Sequence, residues 1–273
     1  EKYTDSLKAQ EIDREAASTD FIHAYLLIVS PGKELYSTFG HAAIRLVCKS
    51  KNLDYCFSFE VDMNESSIWQ EFRRKAKARF FVSSSKDFLI KYKREGRGIW
   101  SYEINLLPKE KQNLWKILDE QSKDGGMWTF DYMSINCMSM AFYAISTAIS
   151  PSVIHFKKMP FIVYGKLDDW IDDVTKDSPW TEVVFRSILW DVNEKSIKPE
   201  DILTPIMVKD ILPYAVITDK TETNRPLTLK QGQQLLPQIY ENKPCWFTPL
   251  KTAILLFLTI TIALFSFYIY NKH

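Results

Sequence analysis

The sequence predicts an α+β domain built on a central antiparallel sheet, followed by one C-terminal transmembrane helix. Three observations carry this. Short apolar and alternating runs, separated by turn residues, fill the first third of the chain. A helix-length segment at 136–149 is apolar nearly all round, as a buried helix is. Thr252–Tyr270, TAILLFLTITIALFSFYIY, contains neither charge nor proline; at about 1.5 Å per residue it spans roughly the 30 Å of a bilayer core.

Residues 1–20 are charged and peripheral. Phe21–Ser30 is a nearly continuous apolar run, as a central strand would be, and Pro31-Gly32 is a turn. His41–Cys48 and Tyr55–Val61 read as two strands around a polar loop. Ile68–Ala78 reads as a helix with Ile68, Trp69 and Phe72 on one side. Gly98–Leu106 is a further strand, and Pro108 opens a helix to about Gln121, since proline at the first helical position gives up no hydrogen bond. Asn136–Ile149 is the buried helix. The expected division is a 1–20 extension, a 21–165 domain, a 166–247 extension and linker, and a 248–271 membrane helix.

The chain has 273 residues, with 35 Lys and Arg against 34 Asp and Glu. That balance argues against a protein built to bind nucleic acid. Four cysteines without a CxxC and four scattered histidines give no metal site, and no phosphate loop or GxGxxG implies a cofactor. Trp246 and Phe247 at one end of the apolar run, and Tyr268 and Tyr270 at the other, suit the two interfaces. The first residue is Glu1, which fits a mature chain after signal-peptide removal; the soluble part then lies outside the cytoplasm, with a tail of only Asn271-Lys272-His273 inside.

Two residues carry the candidate chemistry. Cys137 falls at the first turn of the buried helix, where unpaired N–H groups and the helix dipole favour a thiolate and can hold an oxyanion. Asn136, beside it, is a candidate for the same oxyanion or for orienting the site. Ala141, Ala144 and Ala148 follow at helical spacing, a small-residue face that lets the helix approach a sheet. His41 heads a strand in S-T-F-G-H-A-A-I-R (37–45) and is the candidate base. Ser37 and Arg45 are candidates for substrate binding, Arg45 either through a lipid phosphate or merely paired with an acid on the sheet. His23 reads as a core or edge histidine, and His155 as a second polar group. The basic run at 73–79 is a solvated face or a contact for anionic headgroups.

Pro31-Gly32-x-Glu34, Phe39-Gly40-His41-Ala42-Ala43-Ile44-Arg45, the aromatic strand Tyr55–Val61, Arg97–Leu106 and Phe130-Asp131-Tyr132 with Asn136-Cys137 follow one another in a familiar order. Over roughly 21–150 the chain resembles the N-terminal periplasmic domain of the Lnb lipoprotein N-acyltransferases. The resemblance implies a circularly permuted papain-like Cys–His fold, histidine before cysteine. It implies an inner-membrane protein whose soluble domain lies in the periplasm. There an acyl chain passes from a phospholipid to Cys137 and then to the amino terminus of a lipoprotein. The chain departs from the family at Met138, Ser139 and Met140, where threonine and arginine are usual, and at Cys56 and Ser58, where asparagine and glycine are usual. A Cys–His thioesterase, a cell-wall amidase or an inactive membrane-anchored binding module are the alternatives.

Glu60, where the family tends to have Asp, is the nearest acid to orient His41. If Cys48 and Cys56 are directly opposed, as a disulfide would have them, Glu60 lies on the face away from His41. A slip that sets Glu60 opposite Arg45 puts it on the same face.

Overall fold

The computed structural model describes residues 22–34, 37–67, 70, 75–123, 126–157, 169, 171–172, 175, 178–189, 204–239 and 247–272. The chain forms two compact units, the first from 1–163 and 197–240, the second from 164–196 and 241–273. The segment expected as a 166–247 extension is thus divided between them.

The first unit holds a seven-stranded antiparallel sheet. Its strands are β1 (Ile22–Val29), β2 (His41–Cys48), β3 (Leu53–Val61), β4 (Lys77–Ser84), β5 (Ile99–Glu103), β6 (Trp128–Thr129) and β10 (Gln233–Leu236), ordered β10-β5-β1-β2-β3-β4-β6. A smaller sheet contains β7 (Val153–Phe156), β8 (Ala215–Thr218) and β9 (Asn224–Pro226). The helices of this unit are α1 (Ser85–Arg94), α2 (Pro108–Lys123), α3 (Cys137–Ile149) and α5 (Pro205–Ile211).

The two faces of the large sheet differ. Ala42, Ile44 and Leu46 of β2, with Phe57 and Phe59 of β3, pack in one cluster with Leu114 and Leu118 of α2 and Ala141, Ala144 and Ala148 of α3. The alanine face expected from the sequence therefore does bring α3 against β2. On the reverse face Leu27, Val29, Ala43, Cys56 and Ile99 meet Phe88 and Tyr92 of α1.

Two expectations are corrected. The helix read at 68–78 does not extend over its last residues: Lys77 and Ala78 belong to β4, which pairs Ala78 with Val61 and Phe80 with Phe59. Ala78 and Phe80 are buried while Lys77 and Arg79 are not, a period-2 pattern that the Phe80-Phe81 doublet hides. Ile68, Trp69 and Phe72 lie outside the described residues. The second correction is the register of β2 and β3. Arg45 stands opposite Cys56, and Cys48 opposite Leu53. Cys48 and Cys56 point to opposite faces. A bridge between them is excluded by the pleat.

The second unit contains α4 (Pro179–Ile188) and α6 (Pro249–Lys272). Trp180 Nε1 donates to the Phe247 carbonyl oxygen at 2.7 Å, tying α4 to the start of α6. Over Pro249–Tyr268 the mean hydropathy is 2.1 and none of the helix is buried. It is long and apolar enough to cross a membrane.

Candidate functional site

The site is built at the end of β2. Gly40 adopts φ +81°, and a Cβ there would stand 2.5 Å from the Val29 carbonyl oxygen. Only glycine makes this close entry, which delivers His41 to the rim of the sheet as the first residue of its strand.

On the opposite side of that rim α3 begins. Its cap is a reciprocal pair. Asn136 Oδ1 accepts from the backbone N–H groups of Met138 and Ser139 at 2.9 and 3.0 Å, and Ser139 Oγ accepts from the Asn136 N–H at 2.9 Å. This is a capping box with serine at the third position. Asn136 Nδ2 also donates to the Tyr132 carbonyl oxygen at 3.0 Å. Both ends of the Asn136 amide are therefore engaged in fixing the helix start. Ser139, one of the departures noted in the sequence, is part of the cap.

The cap sets Cys137 on the first turn, where the backbone N–H groups of Ala42, Met138 and Cys137 favour the charged form of its thiol. Ala42 is the residue next to His41 on β2. Glu60 acts electrostatically on both the thiol and the imidazole, and Tyr92 lies within the same field. Cys137 retains some exposed surface. Burial nevertheless pushes its thiol up to about 11, the backbone donors and helix end notwithstanding. The thiolate expected from helix position alone is outweighed by desolvation.

His41 makes three further contacts. Its Nε2 is 2.5 Å from Ser58 Oγ and 3.6 Å from Glu60 Oε1, and its ring lies 6.1 Å from that of Tyr92. Ser58 Oγ donates to Glu60 Oε1 at 2.8 Å. This follows from register. Ala43 stands opposite Ser58, so two residues further on Glu60 comes level with His41 on the same face. Burial pushes the imidazole down to about 4, against the opposing pull of Glu60; Lys91 and Arg97 push the same way as burial. At neutral pH the imidazole is uncharged. The Glu60 carboxyl is held below its ordinary value: burial works against the charged form, but His41, Lys91 and the Ser58 hydroxyl outweigh it.

The other candidates lie elsewhere. Arg45 grips Asp54 with two hydrogen bonds at 2.7 and 2.6 Å and covers the Tyr25 ring. It pairs with an acid on the sheet. Ser37 Oγ turns back to the Glu34 carbonyl oxygen at 2.6 Å and is buried in the loop. His23 Nδ1 is 3.0 Å from Glu103, and His155 sits exposed on β7 of the smaller sheet. Of the basic run, Arg79 pairs with buried Asp62 at 2.8 Å, while Arg73 and Arg74 lie outside the described residues. Among the described residues no cluster of His, Cys, Asp or Glu could hold a metal.

Sequence reasoning singled out His41, Cys137 and Glu60 but noted Ser58 only as a departure. Strand alternation held the missing signal: Ser58 and Glu60 are two apart on β3, so they share a face.

With this geometry the comparison with known families is decisive. The sequence model of the Lnb N-terminal periplasmic domain matches residues 8–170, more than half of the chain. The chain belongs to this Lnb family. No curated protein and no solved structure matches it. The Lnb match takes in β1 through β7 together with His41, Ser58, Glu60 and Cys137, so the whole candidate site lies inside the family domain. An Lnb periplasmic domain joined to one membrane-length apolar helix fits a membrane-anchored protein with its domain in the periplasm.

Proposed function

We propose that the protein is a thiol acyltransferase of the bacterial inner membrane, moving an acyl chain from a phospholipid to a lipoprotein amino terminus on a papain-like Cys–His site. The observation that carries this reading is that the Ala42 N–H, next to His41 on its strand, and Glu60, 3.6 Å from the His41 ring, both act on the helix-capped Cys137 thiol.

With the thiol and the imidazole both neutral at rest, attack is coupled to proton transfer. As sulfur adds to the ester carbonyl of the phospholipid, His41 takes the thiol proton. The S–C bond forms, the ester C–O bond breaks, and His41 returns the proton to the departing alkoxide of the lysophospholipid. The α-amine of the acceptor then attacks the thioester. The N–C bond forms, the C–S bond breaks, and the amine proton passes through His41 to sulfur. Because Asn136 Oδ1 takes the Met138 and Ser139 N–H groups, the backbone N–H of Cys137 itself is the helix-start donor for the carbonyl oxygen that becomes anionic in each half-reaction.

Cys137→Ala in the full chain is expected to abolish N-terminal acylation of lipoproteins in cells with no other route, read by mass spectrometry of the lipopeptides. An acyl adduct trapped on wild-type Cys137 is the positive counterpart. Unchanged acylation in the variant would overturn the reading.

A further inference from the structure

We propose that Ser58 is a positioning residue for His41. Its hydroxyl is the direct partner of the imidazole, and it relays the Glu60 charge to the ring while fixing which ring nitrogen carries the proton.

The argument is one of proton count. A serine hydroxyl has a single hydrogen. Here it is given to Glu60 Oε1 at 2.8 Å. The contact of 2.5 Å to His41 Nε2 must then be one in which Ser58 Oγ accepts, so Nε2 carries the hydrogen. The neutral ring is the Nε2–H tautomer, and its lone pair is on Nδ1. A base needs that lone pair, and the nitrogen bearing it is settled by the bond the other nitrogen makes.

Glu60 cannot do this alone. At 3.6 Å its oxygen is beyond a good hydrogen bond to Nε2, and it also holds Lys91 Nζ at 3.4 Å. Ser58 closes the gap. It is buried, with no water needed to complete the chain. The charged groups acting on the ring are Glu60 from β3, Lys91 from α1 and Arg97 before β5, and the Tyr92 ring of α1 lies 6.1 Å away. Glu60 is the one negative charge in this set. The hydroxyl is its route to the ring.

The inference rests on the thiol-transfer reading only in naming Cys137 as the group His41 serves; its tests do not require acyl transfer. In the full chain in detergent, nitrogen NMR with labelled histidine, assigned by His41→Gln, is expected to show Nε2 protonated and Nδ1 bearing the lone pair. Ser58→Ala is expected to mix the tautomers. It should also slow iodoacetamide alkylation of Cys137 at neutral pH by about tenfold and move its pH profile upward. Glu60→Gln is expected to keep the tautomer, because Ser58 can still accept, yet to slow alkylation. Ser58→Thr, which keeps the hydroxyl, should restore both readouts. An Nδ1–H ring in the wild type, or a Ser58→Ala protein with unchanged tautomer and pH profile, would overturn the proposal. Since the wild-type tautomer is read without any change at Ser58 or Glu60, a variant at either that fails to fold leaves the proposal testable. Loss of acylation with an intact tautomer pattern would count against acyl transfer and not against the relay.

Discussion

The two faces of the seven-stranded sheet are made from the same strands and solve different problems. Toward α2 and α3 the residues are Ala42, Ile44, Leu46, Phe57 and Phe59, all buried and all apolar. Toward α1 the same two strands present His41, Arg45, Asp54, Ser58 and Glu60, polar and tied to one another, around a smaller apolar patch in which Ala43 and Cys56 pack with Phe88 and Tyr92. Alternation makes this division possible: each strand gives one set of side chains to packing and the next set to chemistry. The comparison teaches where stability and function should separate when residues are changed. The apolar face should answer in stability alone, and the polar face in stability that depends on pH and in reactivity.

The largest effect is expected on the apolar face. Phe59 is 1% exposed and meets Phe80 edge to face, ring centroids 5.4 Å apart. Phe59→Ala removes a buried ring and leaves a cavity, a loss of about 3–5 kcal/mol. Denaturant unfolding should show it equally at neutral and mildly acidic pH. A loss that varies strongly with pH would break the division between the faces.

On the polar face the pH itself is the lever. His41 has its pKa at about 4 in the folded protein against an ordinary 6.5. Above 6.5 neither state is protonated and the group has no effect. Between 6.5 and 4 the unfolded chain takes a proton that the folded protein refuses, so stability falls as pH falls. At about 1.4 kcal/mol per pH unit, the loss amounts to roughly 3 kcal/mol across the window. Glu60, held below its ordinary value, adds a loss of the same sign further down. His41→Gln should flatten the upper part of the profile. An unchanged slope would mean that the buried imidazole does not govern acid stability.

A smaller effect separates pairing from substrate binding at Arg45. Burial works against the Asp54 carboxylate, but hydrogen bonds from Arg45 and Ser85 hold it below the usual range. Removing it by Asp54→Ala strands a partly buried guanidinium. Asp54 is itself 41% exposed, so water recovers part of the loss, leaving about 1–2 kcal/mol. The double change with Arg45→Met should recover stability, and neither change should touch Cys137 alkylation. A tenfold drop in that rate would return Arg45 to the site.

Much of this was legible in the sequence, for physical reasons. His41–Cys48 and Cys137–Ile149 are found where the pattern put them, because one alternates and the other is apolar at helical spacing between an asparagine cap and a proline. β4 was not legible: two adjacent phenylalanines blur its alternation, and the basic run before it imitates a helix face. The register of β2 and β3 was not legible either. It depends on the 3-10 turn at Lys49–Lys51 with Asn52 in the left-handed conformation, which fixes Leu53 opposite Cys48. With the register unknown, the bond from His41 to Ser58 could not be seen, although each residue could. The direction of the Cys137 thiol was misread for a related reason: a helix start is visible in sequence, but the depth at which it is buried is not.

The smallest effect tests the helix start itself. Asn136 could serve the reaction, or it could serve only the helix that presents Cys137. Its oxygen takes two backbone N–H groups and one hydrogen of its nitrogen goes to Tyr132, which leaves a single N–H to aim at a substrate oxygen. Asn136→Ala should cost about 1 kcal/mol in unfolding stability, the ordinary loss for a cap. Asn136→Ser keeps an acceptor at the cap and should recover most of it. If the amide is structural, the serine variant alkylates Cys137 and transfers acyl groups at close to the wild-type rate. If the serine variant is as stable as wild type yet slower in transfer by a hundredfold, the amide is an oxyanion donor after all, and the cap seen here is the resting arrangement of a side chain that turns when substrate binds.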